Sequence, residues 1–268
     1  MKNLQDRIAV VTGGGSGIGE ATSRLLAERG ATVAILDISM SAAERVAGDI
    51  LAAGGNACSF YADVSSEHDV SVAMKEIAKR FGRIDILHNN AALLARDHLA
   101  ADGLIEAMDL DLWERTMAVN LRGAMLCTKH ALPSMGAGGS IIMTGSGKGM
   151  QGDLDHAAYG VSKAGLEALM RYTAAQYGKK GIRANLVMVG LVLSKPIRDA
   201  LNPDDRALYE RHHLTPYLGE PINIAEVIAF LASDAAAFVT GQVVAADGGY
   251  TSHSPLYADL LAKRSSQA

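Results

Sequence analysis

Residues 11–30 read VTGGGSGIGEATSRLLAERG. A β-branched strand end, a glycine-rich turn and a segment of helical composition follow one another without interruption. Gly13, Gly17 and Gly19 lead from strand into helix, with Ser16 and Ile18 in the same turn. Glycine allows the tight turn and lets backbone approach a pyrophosphate, whose charge is favoured at a helix N-terminus. By itself such a turn is equally what a plain flexible loop looks like. The strand and helix around it favour a dinucleotide-binding cradle. The next strand ends at Asp37, about 20 residues beyond the turn, where a carboxylate accepts hydrogen bonds from an adenosine ribose and repels a 2′-phosphate. That placement favours NAD over NADP; the alternative is that Asp37 is a strand-end turn residue or a helix cap.

Outward from this unit, RIAVV, ATVAILD, ACSFYADV, IDILHNNA, GSIIMTG, IRANLVMV and GQVVAADGG read as seven strands. Amphipathic segments near 17–29, 41–53, 67–80, 111–135, 157–178 and 223–233 read as helices between them. Strands that are apolar nearly throughout, alternating with helices, imply a parallel sheet covered on both faces. The expected fold is therefore α/β, a doubly wound seven-stranded parallel sheet in a single domain over 1–250, followed by a C-terminal tail, 251–268. Residues 93–110 and 191–222 break the rhythm, and long connections in compact domains are often functional.

The chain has 268 residues, 49% of them hydrophobic, and a formal net charge of −4. That balance supplies no broad positive field for nucleic acid or an anionic membrane surface. The start, MKNLQDRIAVV, has no apolar run of signal-peptide length, and no stretch reaches the roughly 20 apolar residues that span a bilayer. The expectation is a soluble cytoplasmic protein. Cys58 and Cys127 stand apart from each other and from His residues, without disulfide or zinc spacing, and read as buried small hydrophobes. No metal is expected.

Residues 156–165, HAAYGVSKAG, place Tyr159 and Lys163 four apart on one helix face. Alone, the pair is a half-buried Tyr and a solvated Lys. As a catalytic pair it has a clear use: an alcohol being oxidised loses a proton and a hydride, so the site needs a base for the hydroxyl. A phenol titrates near 10, too high for neutral operation. A positive charge ~4 Å away at an effective dielectric of ~20 contributes about 4 kcal/mol, roughly three pKa units at most.

With TGGGSGIG, the DV at 63–64, the NNAA at 89–92, Asn120, Ser146 and YGVSK, the chain resembles the short-chain dehydrogenases/reductases. The likeness runs from about residue 5 to 250 and includes GRIDILHNNA, YGKKGIRAN, LGEP and GQVVAADGG. It implies a Rossmann-type sheet, a nicotinamide cofactor and a homotetramer. By the same resemblance Asp63 and Val64 contact the adenine, and Asn89, Asn90 and Ala91 lie against the cofactor along the fourth strand. Asn120, Ser146, Tyr159 and Lys163 form the catalytic tetrad: Tyr159 the acid/base, Lys163 also on the nicotinamide ribose, Ser146 on the substrate oxygen, Asn120 holding a relaying water. Gly190, Val192 and Ser194 would hold the nicotinamide amide. Ala92 stands where the family more often has Gly, Gly145 where Ser is common, and Val189 where Pro usually precedes Gly190, leaving less backbone restraint there.

The segments that the family places around the substrate carry Leu93, Leu94, Met150, Met188, Leu191, Leu193 and Ile197. An apolar, cyclic secondary alcohol or ketone fits, whether alicyclic, aromatic or steroid-like. Lys148 and His156 are the polar candidates for a second substrate oxygen, or else solvent-facing loop residues.

Other readings compete. Ser146 as a hydrolase nucleophile lacks the flanking glycines of a nucleophile elbow. His212 and His213 are adjacent and point apart, so they are poor metal ligands. Asn120 could cap or kink a helix. A non-catalytic NAD-binding sensor or scaffold would not need an activated phenol, and an enoyl or 3-oxoacyl substrate would keep the fold while changing the chemistry. The tail carries Pro255, Leu256, Tyr257, Leu260 and Leu261 and should pack on 191–222, whereas AKRSSQA reads as frayed.

Overall fold

The computed structural model describes residues 3–266; Met1, Lys2, Gln267 and Ala268, the outermost residues of the N-terminal stretch and the tail, lie outside the described residues. The first half runs β1 (Ile8–Thr12), α1 (Gly17–Glu28), β2 (Thr32–Asp37), α2 (Met40–Ala52), β3 (Asn56–Tyr61), α3 (Glu67–Phe81) and β4 (Ile86–Asn89). Short α4 (Arg96–Ala101), α5 (Leu110–Met117), α6 (Gly123–Ala131), β5 (Ser140–Ser146), α7 (Ala157–Tyr177) and β6 (Arg183–Val189) follow. The chain closes with α8 (Lys195–Ala200), α9 (Pro203–His212), α10 (Pro221–Ala232), β7 (Val243–Ala246) and α11 (Tyr257–Ser265).

All pairings are parallel, in the order β3-β2-β1-β4-β5-β6-β7. The order reverses between β1 and β4. A doubly wound sheet opens a crevice at the carboxyl ends of its strands at such a switch point, and ligands bind there. The inner strands β1, β2, β4, β5 and β6 are buried along nearly their whole length, whereas the edge strands β3 and β7 are partly exposed. One core layer joins Leu25, Leu26, Val46 and Ile50 to Ile224 and Ile228 of α10; the other joins Val70, Met74 and Ile77 to Leu126, Leu166 and Met170. Cys58 and Cys127 are free and buried, and burial pushes the Cys127 thiol up to about 12.

Three expectations change. The single helix read over 111–135 is α5, a π-helical turn over Ala118–Arg122, then α6 and a short 3₁₀ turn. The π turn coincides with buried Asn120, whose side chain has partners on two other segments. The irregular stretches 93–110 and 191–222 contain helices α4, α8 and α9. Residues 262–265, read as frayed, continue α11, with Lys263 and Arg264 in the last turn where positive charge suits the helix dipole.

Candidate active site

The glycine turn is built by steric exclusion. A Cβ on Gly19 would lie 2.1 Å from the Gly13 carbonyl oxygen, and Gly13 itself has φ +62 with the Ala91 Cα 3.0 Å from any Cβ there. Gly17, at φ +53, faces open space bounded only by Ser194 Cβ at 3.8 Å. The loop after β6 therefore stands opposite the turn, beside the N-terminus of α1. This cradle fits a nicotinamide dinucleotide's pyrophosphate: it is shaped by missing side chains and sits at a helix N-terminus.

Asp37 ends β2 facing that cradle. Its Oδ2 accepts from Gly15 N at 2.9 Å and its Oδ1 from Ser39 N at 2.9 Å, so the carboxylate braces both the glycine turn and the strand-end turn. Asn90 braces the turn: Nδ2 donates to the carbonyls of Thr12 (3.1 Å) and Gly13 (3.3 Å). Thr12 Oγ1 accepts from the N–H groups of Asn90 and Ala91 at 2.9 and 3.0 Å. Asn89 donates to Thr128 Oγ1 at 3.0 Å, and its buried Oδ1 has no partner among the described residues. The Asp63 carboxylate accepts from Ser65 N and Oγ at 2.8 and 2.7 Å, while Val64 packs on Gly123. Gly190 allows the backbone of Asp247 to approach, since a Cβ there would lie 2.8 Å from Asp247 Cα. Val192 is buried and bridges Gly219. Gly145, where Ser is common in the family, faces Leu186, whose Cδ2 would lie 2.4 Å from an added Cβ and would have to shift to admit one.

The structure brings three tetrad residues together directly. Ser146, at the end of β5, is near enough to the Tyr159 phenol to favour its ionised form. Lys163 Nζ lies 5.5 Å from the Tyr159 ring centroid and donates to the Thr144 carbonyl at 2.8 Å. Asn120 joins through its side chain: Oδ1 accepts from Leu93 N at 2.8 Å, and Nδ2 donates to Ser162 Oγ at 3.0 Å. Ser162 Oγ in turn donates to the Tyr159 carbonyl at 2.7 Å.

The electrostatics correct one expectation. Desolvation raises the Tyr159 phenol above its ordinary value, opposed by the nearby Ser146 hydroxyl and the charge of Lys148. Burial lowers Lys163 to about 8. In the chain by itself the phenol is thus not drawn down by Lys163, because both groups lose water together and the ammonium's proton is directed at Thr144.

Lys148 is not a free ammonium awaiting a substrate oxygen. It pairs with Asp153 at 2.7 Å and Asp155 at 2.5 Å, and these carboxylates outweigh burial to raise its pKa. His156 Nδ1 also meets Asp155, at 2.8 Å. Of the expected apolar lining, Met188 and Leu193 are core residues, whereas Leu94 and Met150 are exposed. Leu191 lines a cleft of about 180 Å³ with Thr215, Tyr217 and Gly248. Sequence reasoning missed Tyr209 on α9, half-buried and close enough to Lys148, Asp153 and Asp155 to feel their charge.

The tail packs on α9 as expected. His253 Nε2 faces the His212 carbonyl at 2.7 Å and Nδ1 the Ser254 carbonyl at 2.9 Å; two acceptors suit the imidazolium, so its pKa is raised. His212 stacks on His253, while His213 turns inward to donate toward the Tyr209 carbonyl. Among the described residues no group of His, Cys, Asp and Glu could hold a metal, and no helix is long and apolar enough to cross a membrane.

A family model described as enoyl-(acyl carrier protein) reductase matches residues 13–251. The chain belongs to the short-chain dehydrogenase/reductase family. It is 41% identical over 248 residues to cis-4-hydroxycyclohexanecarboxylate dehydrogenase of Sinomonas cyclohexanicum, covering 92% of this chain and 97% of that protein. It is 34% identical over 257 residues to 7alpha-hydroxysteroid dehydrogenase of Bacteroides fragilis, covering 95% and 98%. The crystal structure of a dehydrogenase/reductase from Sinorhizobium meliloti 1021 superposes with TM-score 0.86 at 32% identity, covering 94% of this chain and 97% of that one. Members of this family are oxidoreductases that use nicotinamide cofactors.

Proposed function

We propose that the protein transfers a hydride between NAD(H) and an apolar cyclic secondary alcohol or ketone, with Tyr159 as acid/base. The observation that carries this reading is Tyr159 with buried Lys163, whose Nζ lies 5.5 Å from the Tyr159 ring, and Ser146 at the end of β5 beside them, next to the glycine cradle. The relatives named for cyclic alcohols, the hydroxycyclohexanecarboxylate and hydroxysteroid dehydrogenases, support the substrate class. When bound, the nicotinamide supplies or accepts the hydride.

Ser146 holds the substrate oxygen against the phenol. Tyr159 takes the hydroxyl proton in oxidation and returns it in reduction. Lys163, with its ammonium directed at Thr144, lies on the same helix face to bind the ribose. Gly13, Ser16, Gly17, Ile18 and Gly19 cradle the pyrophosphate, Asp37 the ribose, and Asp63 and Val64 the adenine. Gly190, Val192 and Ser194 take the nicotinamide amide. The descriptor of the matching family model keeps an enoyl substrate as a second reading; the Tyr159–Lys163 spacing favours carbonyl chemistry.

The test is a panel of cyclic and open-chain secondary alcohols, with an enoyl thioester assayed in the reducing direction, using NAD and NADP couples. The expected result is NADH formation with cyclic alcohols and a higher kcat/KM with NAD, because Asp37 repels a 2′-phosphate. Stronger turnover with the NADP couple would reject the Asp37 assignment, and turnover of the enoyl thioester alone would favour the second reading.

We further propose a cytoplasmic homotetramer in which 191–222 is a substrate loop and 251–262 closes over it. Truncation after Thr251 keeps the Thr251–Asp247 bonds at 2.9 and 2.6 Å while removing His253 and α11. It is expected to raise KM for the best alcohol several-fold, by loosening the cover that excludes water. A KM equal to that of the full chain, with the same oligomeric state by light scattering, would leave the tail no lid function.

A further inference from the structure

The helix carrying both Tyr159 and Lys163 lacks a cap of its own. His156, at its N-cap position, makes no side-chain cap bond and has φ +62, a left-handed conformation that is strained for a residue with a Cβ. The first backbone N–H groups of a helix have no intrahelical acceptors, and leaving them unpaired in a buried place is costly.

Asp102, 56 and 57 residues away in sequence, supplies the acceptors. Its Oδ1 accepts from Ala158 N at 3.0 Å and its Oδ2 from Tyr159 N at 2.9 Å. Its own carbonyl accepts from His156 N at 2.6 Å. The residue is 1% exposed, and no salt bridge is formed with its carboxylate among the described residues. Its negative charge is placed where the dipole of α7 favours it.

Asp102 also ends α4, in the long connection after β4. That connection is tied down elsewhere: Leu93 N donates to Asn120 Oδ1 at 2.8 Å, and His98 Nε2 meets Thr116 Oγ1 at 2.7 Å. The wall at 93–102 and the first turn of α7 are thereby one braced unit, with Tyr159 N itself one of the braced groups. We propose that Asp102 is a positioning residue that sets the height and direction of the Tyr159 phenol, an inference resting on the acid/base reading of Tyr159.

The experiment measures kcat, alcohol KM, NADH Kd and thermal unfolding for Asp102→Ala, Asp102→Asn, Asp109→Ala and Tyr159→Phe. Asp109 is the matched control, because it caps α5 by accepting from Leu112 N at 2.8 Å. Misplacing a reacting group by about 1 Å costs on the order of 10²-fold in rate. Asp102→Ala is therefore expected to lower kcat on that scale at unchanged NADH Kd, and Asp102→Asn, which keeps one acceptor, by an intermediate factor. Asp109→Ala should lower the melting temperature with kcat unchanged. If Asp102→Ala does not fold, the same comparison on Asp102→Asn decides. Asp102 variants that lose only melting temperature, or only KM, overturn the inference while leaving Tyr159 as the base. Full activity in Tyr159→Phe overturns the acid/base reading and this inference with it.

Discussion

Tyr159→Phe is expected to lower kcat by about 10³-fold or more, the range a positioned acid/base contributes, while NADH Kd stays within about twofold. The ring is retained, so the half-buried space stays filled and α7 keeps its bracing by Asp102 and Ser162. What is lost is the hydroxyl that meets Ser146 and exchanges the substrate proton. Ser146 Oγ keeps Lys148 N as a donor at 3.3 Å, so the β5 end is not left without a partner. Steady-state rates of NADH formation and a fluorescence titration with NADH separate the two effects. Turnover near the wild-type rate would refute Tyr159 as the base; a parallel loss of NADH binding would assign the residue to the cofactor site.

The parts of this protein legible in sequence are those whose signal is local. The glycine turn declares itself because Gly13 and Gly19 cannot carry side chains, and the inner strands because they are buried and their runs largely apolar. Tyr159 and Lys163 show themselves by helical spacing. Asp102 gives no comparable sign: it is one carboxylate in a polar-looking connection, and only the folded chain sets it against Ala158 and Tyr159. The same holds for the partners of Asn120, for Tyr209 beside Lys148, and for the π turn, which interrupts a segment whose composition is helical on both sides. Lys148 misled in the opposite direction. Its loop position was visible, but Asp153 and Asp155 occupy its ammonium, which composition alone does not reveal.

His88 is expected to make the fold acid-sensitive. It lies fully buried on β4, with Nε2 2.8 Å from Thr144 Oγ1 and Nδ1 without a protein partner. Burial, reinforced by the nearby charge of Lys163, lowers its pKa to about 3 from an ordinary 6.5. Between those values the unfolded chain binds a proton that the folded chain refuses, so stability is present above pH 6.5 and falls as the pH drops towards 3. The slope from this one group approaches about 1.4 kcal/mol per pH unit. Carboxylates titrate over part of the same range, so the measurement is a difference: urea unfolding of wild type and His88→Val at several pH values from 7.5 to 4.5. Val suits a buried strand, and Thr144 Oγ1 still has Asn90 Oδ1 at 3.4 Å to donate to. The wild type should lose stability relative to the variant by that slope below pH 6.5. Parallel curves would mean that His88 takes up its proton in the folded chain, and the dry, neutral ring beside Lys163 would have to be abandoned.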